Sequence, residues 1–303
     1  MLKQNFSILF IISFSLAQVQ AQTKPVSIAG ATVEVFKKTK EGDLKIHYLD
    51  PRGHDPKVDK SPAIVLFFGG GWNSGSPTHF EPQARYLRQR GMVVFLPEYR
   101  TKKGHGTAPI SCVNDGKSAI RWVRKNAARL GVDPDRIAAG GGSAGGHVAA
   151  TTGMCDGLEE KGEDITISSR PGALVLFNPV YDNGAGGYGN DRVTEWFPAI
   201  SPAHNISKGD PPTIVFLGTE DKLIPVVTAE KFQADQKAFG IRSDLHLYEG
   251  EPHGFFNLKV GQGKAQHFVD TVLKTDVFLS DLGYLEGEPD EALLESMAAK
   301  EKK

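Results

Sequence analysis

RIAAGGGSAGGHVAA, residues 136–150, holds a short apolar run, then five glycines around one serine, then small helix-forming residues. The order reads as strand, tight turn, helix, and two motifs claim the turn. Gly140, Gly142 and Gly145 fit G-x-G-x-x-G, the backbone cradle of a dinucleotide pyrophosphate. Gly141, Ser143 and Gly145 fit G-x-S-x-G, a sharp turn that presents a nucleophilic serine. Glycine suits both, because it permits the turn and lets another backbone or a ligand come close. The stretch alone does not separate them.

The rest of the chain does. A dinucleotide site needs a carboxylate ending a second strand ~20 residues on, and Asp156, Glu159 and Glu160 follow no convincing strand. A hydrolytic serine of the α/β-hydrolase type makes three other demands, beginning with the chain order Ser, then Asp or Glu, then His. After the apolar run Thr213–Leu217 comes Gly218-Thr219-Glu220-Asp221, and after the alternating run Asp244–Tyr248 comes Glu249-Gly250-Glu251-Pro252-His253. Both loops are expected to open on the sheet edge that carries Ser143. The third demand is an oxyanion hole: the N–H of Ala144, after the nucleophile, joined by N–H groups from a loop after an early strand. Phe67-Phe68-Gly69-Gly70-Gly71-Trp72 supplies that loop. The turn presents a serine.

Outward from there, the 303-residue chain alternates strands with helices. Ala63–Phe68, Met92–Leu96, Ile137–Ala139, Ala173–Phe177 and Thr213–Leu217 are continuous apolar runs, the mark of strands buried on both faces. Ala31–Lys37 and Leu44–Leu49 alternate like an edge hairpin, and Val113–Leu130 keeps one apolar helical face. The fold class expected is α/β: a mostly parallel central sheet with helices on both faces and a minimal cap. Residues 1–21 read as a secretory signal peptide, since one early lysine precedes an apolar run too short to span ~30 Å of hydrocarbon. Residues 22–285 form the catalytic domain, and residues 286–303 a charged tail expected as a loose helix or disorder. The protein is thus expected outside the cytoplasm, secreted or periplasmic, with no membrane anchor. Net charge is −1 with no basic stripe, which points away from nucleic acid. No CxxC or HExxH spacing suggests a metal, and no cofactor is implied.

The chain resembles the hormone-sensitive-lipase-like branch of the α/β-hydrolases and its bacterial carbohydrate-esterase (acetyl xylan esterase-like) relatives. The likeness rests on FFGGGW (67–72), PEYR (97–100), the stretch 119–147, GTEDKLIP (218–225) and EPHGFF (251–256). It implies Ser143 as nucleophile, Asp221 as acid, His253 as base, and Gly70, Gly71 and Ala144 as oxyanion donors. The family usually has histidine, which helps hold the glycine loop, where this chain has Phe68. Its lipolytic members carry a long N-terminal cap, for which this chain has little room.

Other candidates have plainer readings. His147 lies one turn past Ser143 and is expected to pack, His246 sits in a strand pattern, His204 precedes the Thr213 strand, and His267 falls in the last helix. Asp182, after the strand ending at Phe177, is the rival acid. Trp72 and Phe255 are candidates for an acyl pocket. If the helices carrying Cys112 and Cys155 start at one sheet edge, ~18 Å along the second helix keeps the two beyond the ~7 Å reach of a disulfide, and two free thiols are expected. The function expected is a serine esterase acting on short acyl, first acetyl, esters of saccharides. A short cap and the small loop 183–191, expected to be too flexible to roof the cleft, leave a long acyl chain little surface. A lipolytic or feruloyl-type esterase is the alternative within that reading, and a non-catalytic nucleotide-binding module the one outside it.

Overall fold

The computed structural model describes residues 26–258 and 265–300; the expected signal peptide lies outside them. Eight strands build one sheet: β1 (Thr32–Thr39), β2 (Gly42–Leu49), β3 (Ser61–Phe67), β4 (Val93–Pro97), β5 (Val132–Gly142), β6 (Ala173–Phe177), β7 (Thr213–Gly218) and β8 (Ser243–Tyr248). Their spatial order is β1-β2-β4-β3-β5-β6-β7-β8. The β1–β2 hairpin joins β4 antiparallel, and every later pairing is parallel. The helices are α1 (Glu81–Gln89), α2 (Lys102–His105), α3 (Pro109–Lys125), α4 (Ala127–Leu130), α5 (Ala144–Met154), α6 (Asn190–Val193), α7 (Val226–Ala238), α8 (Ala265–Asp281) and α9 (Glu291–Lys300). None of the helices among the described residues is long and apolar enough to cross a membrane.

Alternation along β3 explains the two layers. Ala63, Val65 and Phe67 pack into a core with Ala119 and Val123 of α3, Val148 of α5 and Phe232 of α7. Ile64 and Leu66 face the opposite core, filled by Leu87 of α1, Val272 of α8 and Leu294 of α9. Burial on both faces is why the central strands read as unbroken apolar runs.

PEYR fastens this frame. Glu98 accepts from Lys45 N (3.0 Å), and Tyr99 Oη–H donates to Phe68 O (2.5 Å). Arg100 grips the wholly buried Asp115 through Nε (2.9 Å) and Nη2 (2.8 Å), and Lys37 of β1 reaches the same carboxylate at 2.8 Å.

The charged tail departs from expectation. As far as residue 300 it is docked: Leu294 is fully buried, and Asp290 N–H donates to Tyr86 Oη at 3.0 Å. Tyr86 and Arg90 both bond Asp276, and Arg90 also holds Gly287 O (2.8 Å), so α1 and α8 together seat the segment. Charge density concealed two apolar positions, Leu294 and Ala298, one helical turn apart.

Candidate active site

Ser143 makes the strand-to-helix turn alone, at φ 55° and ψ −122°. L-residues occupy such backbone at a cost of ~1–3 kcal/mol, so the surroundings must hold it. They do: Ser143 N–H donates to Phe177 O (2.9 Å), and Ser143 O accepts from His147 N (3.0 Å) and Val180 N (3.2 Å). Gly145 allows the close approach, because a Cβ there would stand 2.1 Å from Phe67 O. The start of α5 therefore presses onto the end of β3. Ala144 opens that helix, where N–H groups lack intrahelical acceptors and the helix dipole favours negative charge.

Asp221 and His253 come together on the loops after β7 and β8. Asp221 Oδ1 accepts from Leu223 N (2.8 Å) and Ile224 N (3.0 Å), and Oδ2 accepts from His253 Nδ1 at 2.7 Å. The carboxylate is fully buried while the imidazole keeps 24% exposure. A proton on Nδ1 leaves the lone pair on Nε2, the tautomer a general base requires. Asn178, the first residue after β6, accepts from Gly254 N (2.9 Å) and sets its Nδ2 3.3 Å from His253 Nε2. Phe177 and Val180, on either side of it, both bond the Ser143 backbone. One short stretch thus fastens both the serine turn and the histidine loop.

The rivals sit elsewhere. Asp182 accepts from Gly184 N (2.7 Å) and lies 3.8 Å from His204, closing its own turn. His147 is fully buried; its Nε2–H donates to Ile200 O (2.7 Å), and its ring meets Trp72 edge-on at 5.0 Å. Burial pushes its pKa down to about 4. His246 stacks on Phe216, and His267 bonds Glu251. Phe255 lies buried against Tyr248 and Phe256, so it is packing and not pocket wall.

The glycine loop has a support that no motif announced. Phe68, in place of the family's histidine, stacks on Tyr99 with ring centroids 3.9 Å apart. His79 does the holding: Nδ1 accepts from Gly69 N (2.9 Å) and Nε2–H donates to Asn257 Oδ1 (2.7 Å). Asn257 in turn donates to Gly254 O (2.9 Å), which ties the glycine loop to the His253 loop. Burial holds the His79 pKa below the usual histidine value, outweighing the Asn257 hydrogen bond, which raises it. Gly70, at φ +132°, must be glycine because a Cβ would lie 2.0 Å from Ser74 O. Its carbonyl accepts from Asn73 N (3.0 Å) and Ser74 N (3.2 Å), fixing the peptide plane that carries the Gly71 N–H. Arg192 Nη1 fixes the next plane by donating to Gly71 O at 2.8 Å.

A cleft of about 580 Å³ adjoins this loop, lined by Gly70, Gly71, Trp72, Lys102, Tyr188 and Arg192 among others. The loop 183–191, expected to be flexible, is tied to itself and to the cleft wall. Asn183 Nδ2 donates to Tyr188 O (3.0 Å) and Asn190 Nδ2 to Asn183 O (2.7 Å). The Arg192 guanidinium lies 4.9 Å from the Trp72 ring and 5.0 Å from Tyr188. Side-chain amides and a cation over aromatic faces outweigh the freedom of its glycines. Among the described residues no group of three or more His, Cys, Asp or Glu side chains is placed to hold a metal.

A serine turn between a parallel strand and a helix, with a glycine loop and a histidine–carboxylate pair on neighbouring strand-end loops, defines an α/β-hydrolase. Residues 50–175 match the BD-FAE family and residues 178–274 the dienelactone hydrolase family. Esterase 2 of Thermogutta terrifontis, phosphoramylated by tabun, superposes with a TM-score of 0.83 at 44% identity, covering 88% of this chain and 100% of that one. Its propionate-bound form gives 0.81 at 44% identity over 87% and 98%. The chain belongs to the esterases of the α/β-hydrolase superfamily. It is also similar to a probable isoprenylcysteine alpha-carbonyl methylesterase of Oryza sativa, 30% identical over 73% of this chain and 58% of that protein. An acetylxylan esterase of Xylanibacter ruminicola is 27% identical over 66% and 42%. The chain spans about half the length of these curated relatives.

Proposed function

We propose that the protein is an exported serine carboxylic-ester hydrolase that removes short acyl groups, acetyl first, from saccharides. The observation that carries the reading is the 2.7 Å His253–Asp221 bond, which leaves His253 Nε2 as acceptor on a loop that Asn178 ties to the stretch bonded to the Ser143 turn. In this reading Ser143 Oγ attacks the ester carbonyl while His253 Nε2 takes its proton. Asp221 holds the imidazole tautomer and stabilises the imidazolium. The N–H groups of Gly70, Gly71 and Ala144 receive the oxyanion. His253 returns the proton to the departing alcohol, and a water activated by the same nitrogen hydrolyses the acyl-enzyme.

Three likenesses support the details. Thermogutta terrifontis esterase 2 is phosphylated by tabun and paraoxon, as a reactive nucleophile would be, and binds propionate and butyrate, both short acids. The Xylanibacter ruminicola relative is an acetylxylan esterase. Residues 1–21 have the pattern of an export signal. The test is kcat/KM across acetyl, butyryl, octanoyl and lauroyl esters, with acetate release from acetylated xylan. The expected maximum is at two to four carbons with acetate released; a maximum at eight or more and no acetate would favour a lipolytic enzyme.

A further inference from the structure

The cleft beside the glycine loop has an unbalanced charge. Its eleven lining residues include two cations, Lys102 and Arg192, and no Asp or Glu. Eight of the other eleven arginines pair with carboxylates, namely Arg85, Arg90, Arg100, Arg121, Arg129, Arg136, Arg170 and Arg242, while Arg88 and Arg124 bond backbone carbonyls. Among the described residues neither Arg192 nor Lys102 has an acidic partner. Arg192 is half-buried and fixed from three sides, by Gly71 O at 2.8 Å and by the Trp72 and Tyr188 rings. One bond to Gly71 uses a single N–H of the fork's five. A half-buried cation held rigid, partly desolvated and short of acceptors favours an incoming anion.

Position gives this meaning. Gly70 and Gly71 belong both to the glycine loop and to the cleft wall, so a group that fills the cleft lies against the loop assigned to the oxyanion. Resting on the hydrolase reading above, we infer that this cleft receives a carboxylate carried by the ester substrate. Arg192 meets it with its planar fork, Lys102 supplies a second charge from the rim, and the Trp72 and Tyr188 side chains shape the floor. The carboxylate belongs either to the alcohol, as in a uronic acid, or to the acyl group, as in a dicarboxylic half-ester. Both sources present the same group to the same two cations.

Matched substrate pairs test this. On the alcohol side, acetylated galacturonic acid is compared with acetylated galactose; on the acyl side, 4-nitrophenyl monosuccinate is compared with 4-nitrophenyl butyrate. One pair is expected to show a kcat/KM advantage of about tenfold for the anionic member, shrinking with added salt, as a partly exposed charge pair should. Which pair shows it identifies the source. In Lys102→Glu, an exposed site where folding is not at stake, the ratio of anionic to neutral kcat/KM should fall to one or below. In Arg192→Lys, which keeps charge but loses the fork, it should fall severalfold. Hydrolysis of both neutral esters with no anionic advantage in either pair would overturn the inference and leave the esterase reading standing. No hydrolysis of any ester, with no labelling by a fluorophosphonate, would overturn both.

Discussion

Lowering the pH should destabilise the protein through His147, a residue the chemistry does not use. In the unfolded chain its imidazole takes a proton near 6.5; in the fold, burial delays that to about 4. Between those values the unfolded state binds the extra proton, so stability is full above about 6.5, falls as pH drops, and has no more to lose below about 4. At 1.36 kcal/mol per pKa unit the gap is worth roughly 3 kcal/mol, or about 5–10 °C in Tm for a domain of this size. Carboxylates also titrate in this window, so the measurement is a difference. His147→Gln keeps a donor for Ile200 O and cannot titrate. Urea melts followed by circular dichroism at pH 7, 5.5 and 4 should show the wild type losing roughly 3 kcal/mol more than the variant. Ester hydrolysis by the variant at pH 8 should stay within severalfold of wild type. Parallel stability curves would refute the argument that burial keeps this ring neutral, and loss of all activity would reopen the choice of base.

Ser143→Ala should cost about 10⁴-fold or more in kcat, with the fold retained. Ser143→Gly should be equally inactive yet melt higher than the alanine variant, because glycine takes φ 55° without strain; a lower melting point would show the turn to be unstrained. Asp221→Asn should lower kcat by orders of magnitude and Asp182→Asn by little, and the reverse ranking in steady-state kinetics would move the acid to the loop after β6. His79→Ala strips the acceptor from Gly69 N–H and should lose about 2 kcal/mol of stability. It should also lose roughly 10- to 100-fold in kcat with KM little changed, as a displaced oxyanion loop would. Unchanged kcat would show that the glycine loop holds itself.

Much of this molecule was legible because its sheet is buried on both faces. Ala173–Phe177 is a strand to the residue, since an apolar run of that length has no other role between two helices. The strand read as Ile137–Ala139 runs from Val132 to Gly142, because glycines that look like loop still pair, Gly141 opposite Phe67 and Gly142 opposite Phe177. The helix expected over 113–130 starts at Pro109 and breaks at Asn126, whose Nδ2 turns back to Trp122 O at 2.8 Å. The sequence also offered Ser143, Asp221 and His253 in order, since each follows a strand. His79, Asn178, Asn257 and Arg192 were not offered. Their partners lie 10, 75, 178 and 121 positions away, and only packing brings such pairs together. A polar residue directly after an apolar strand, as in Phe177-Asn178, is the one local hint.

The two cysteines bear on where the chain can be made. Both are buried and unpaired; Cys112 Sγ–H donates to Arg100 O at 3.0 Å, and Cys155 lies under the end of α5. Burial raises the Cys112 thiol well above its ordinary range and the Cys155 thiol to about 12, so neither offers a thiolate to an oxidant or a partner sulfur at neutral pH. Once folded, the chain draws no stability from oxidation and offers no thiol to it. A reducing cytoplasm and an oxidising exterior therefore leave the folded protein in the same covalent state, and any oxidation of the two sulfurs must precede the closing of the core.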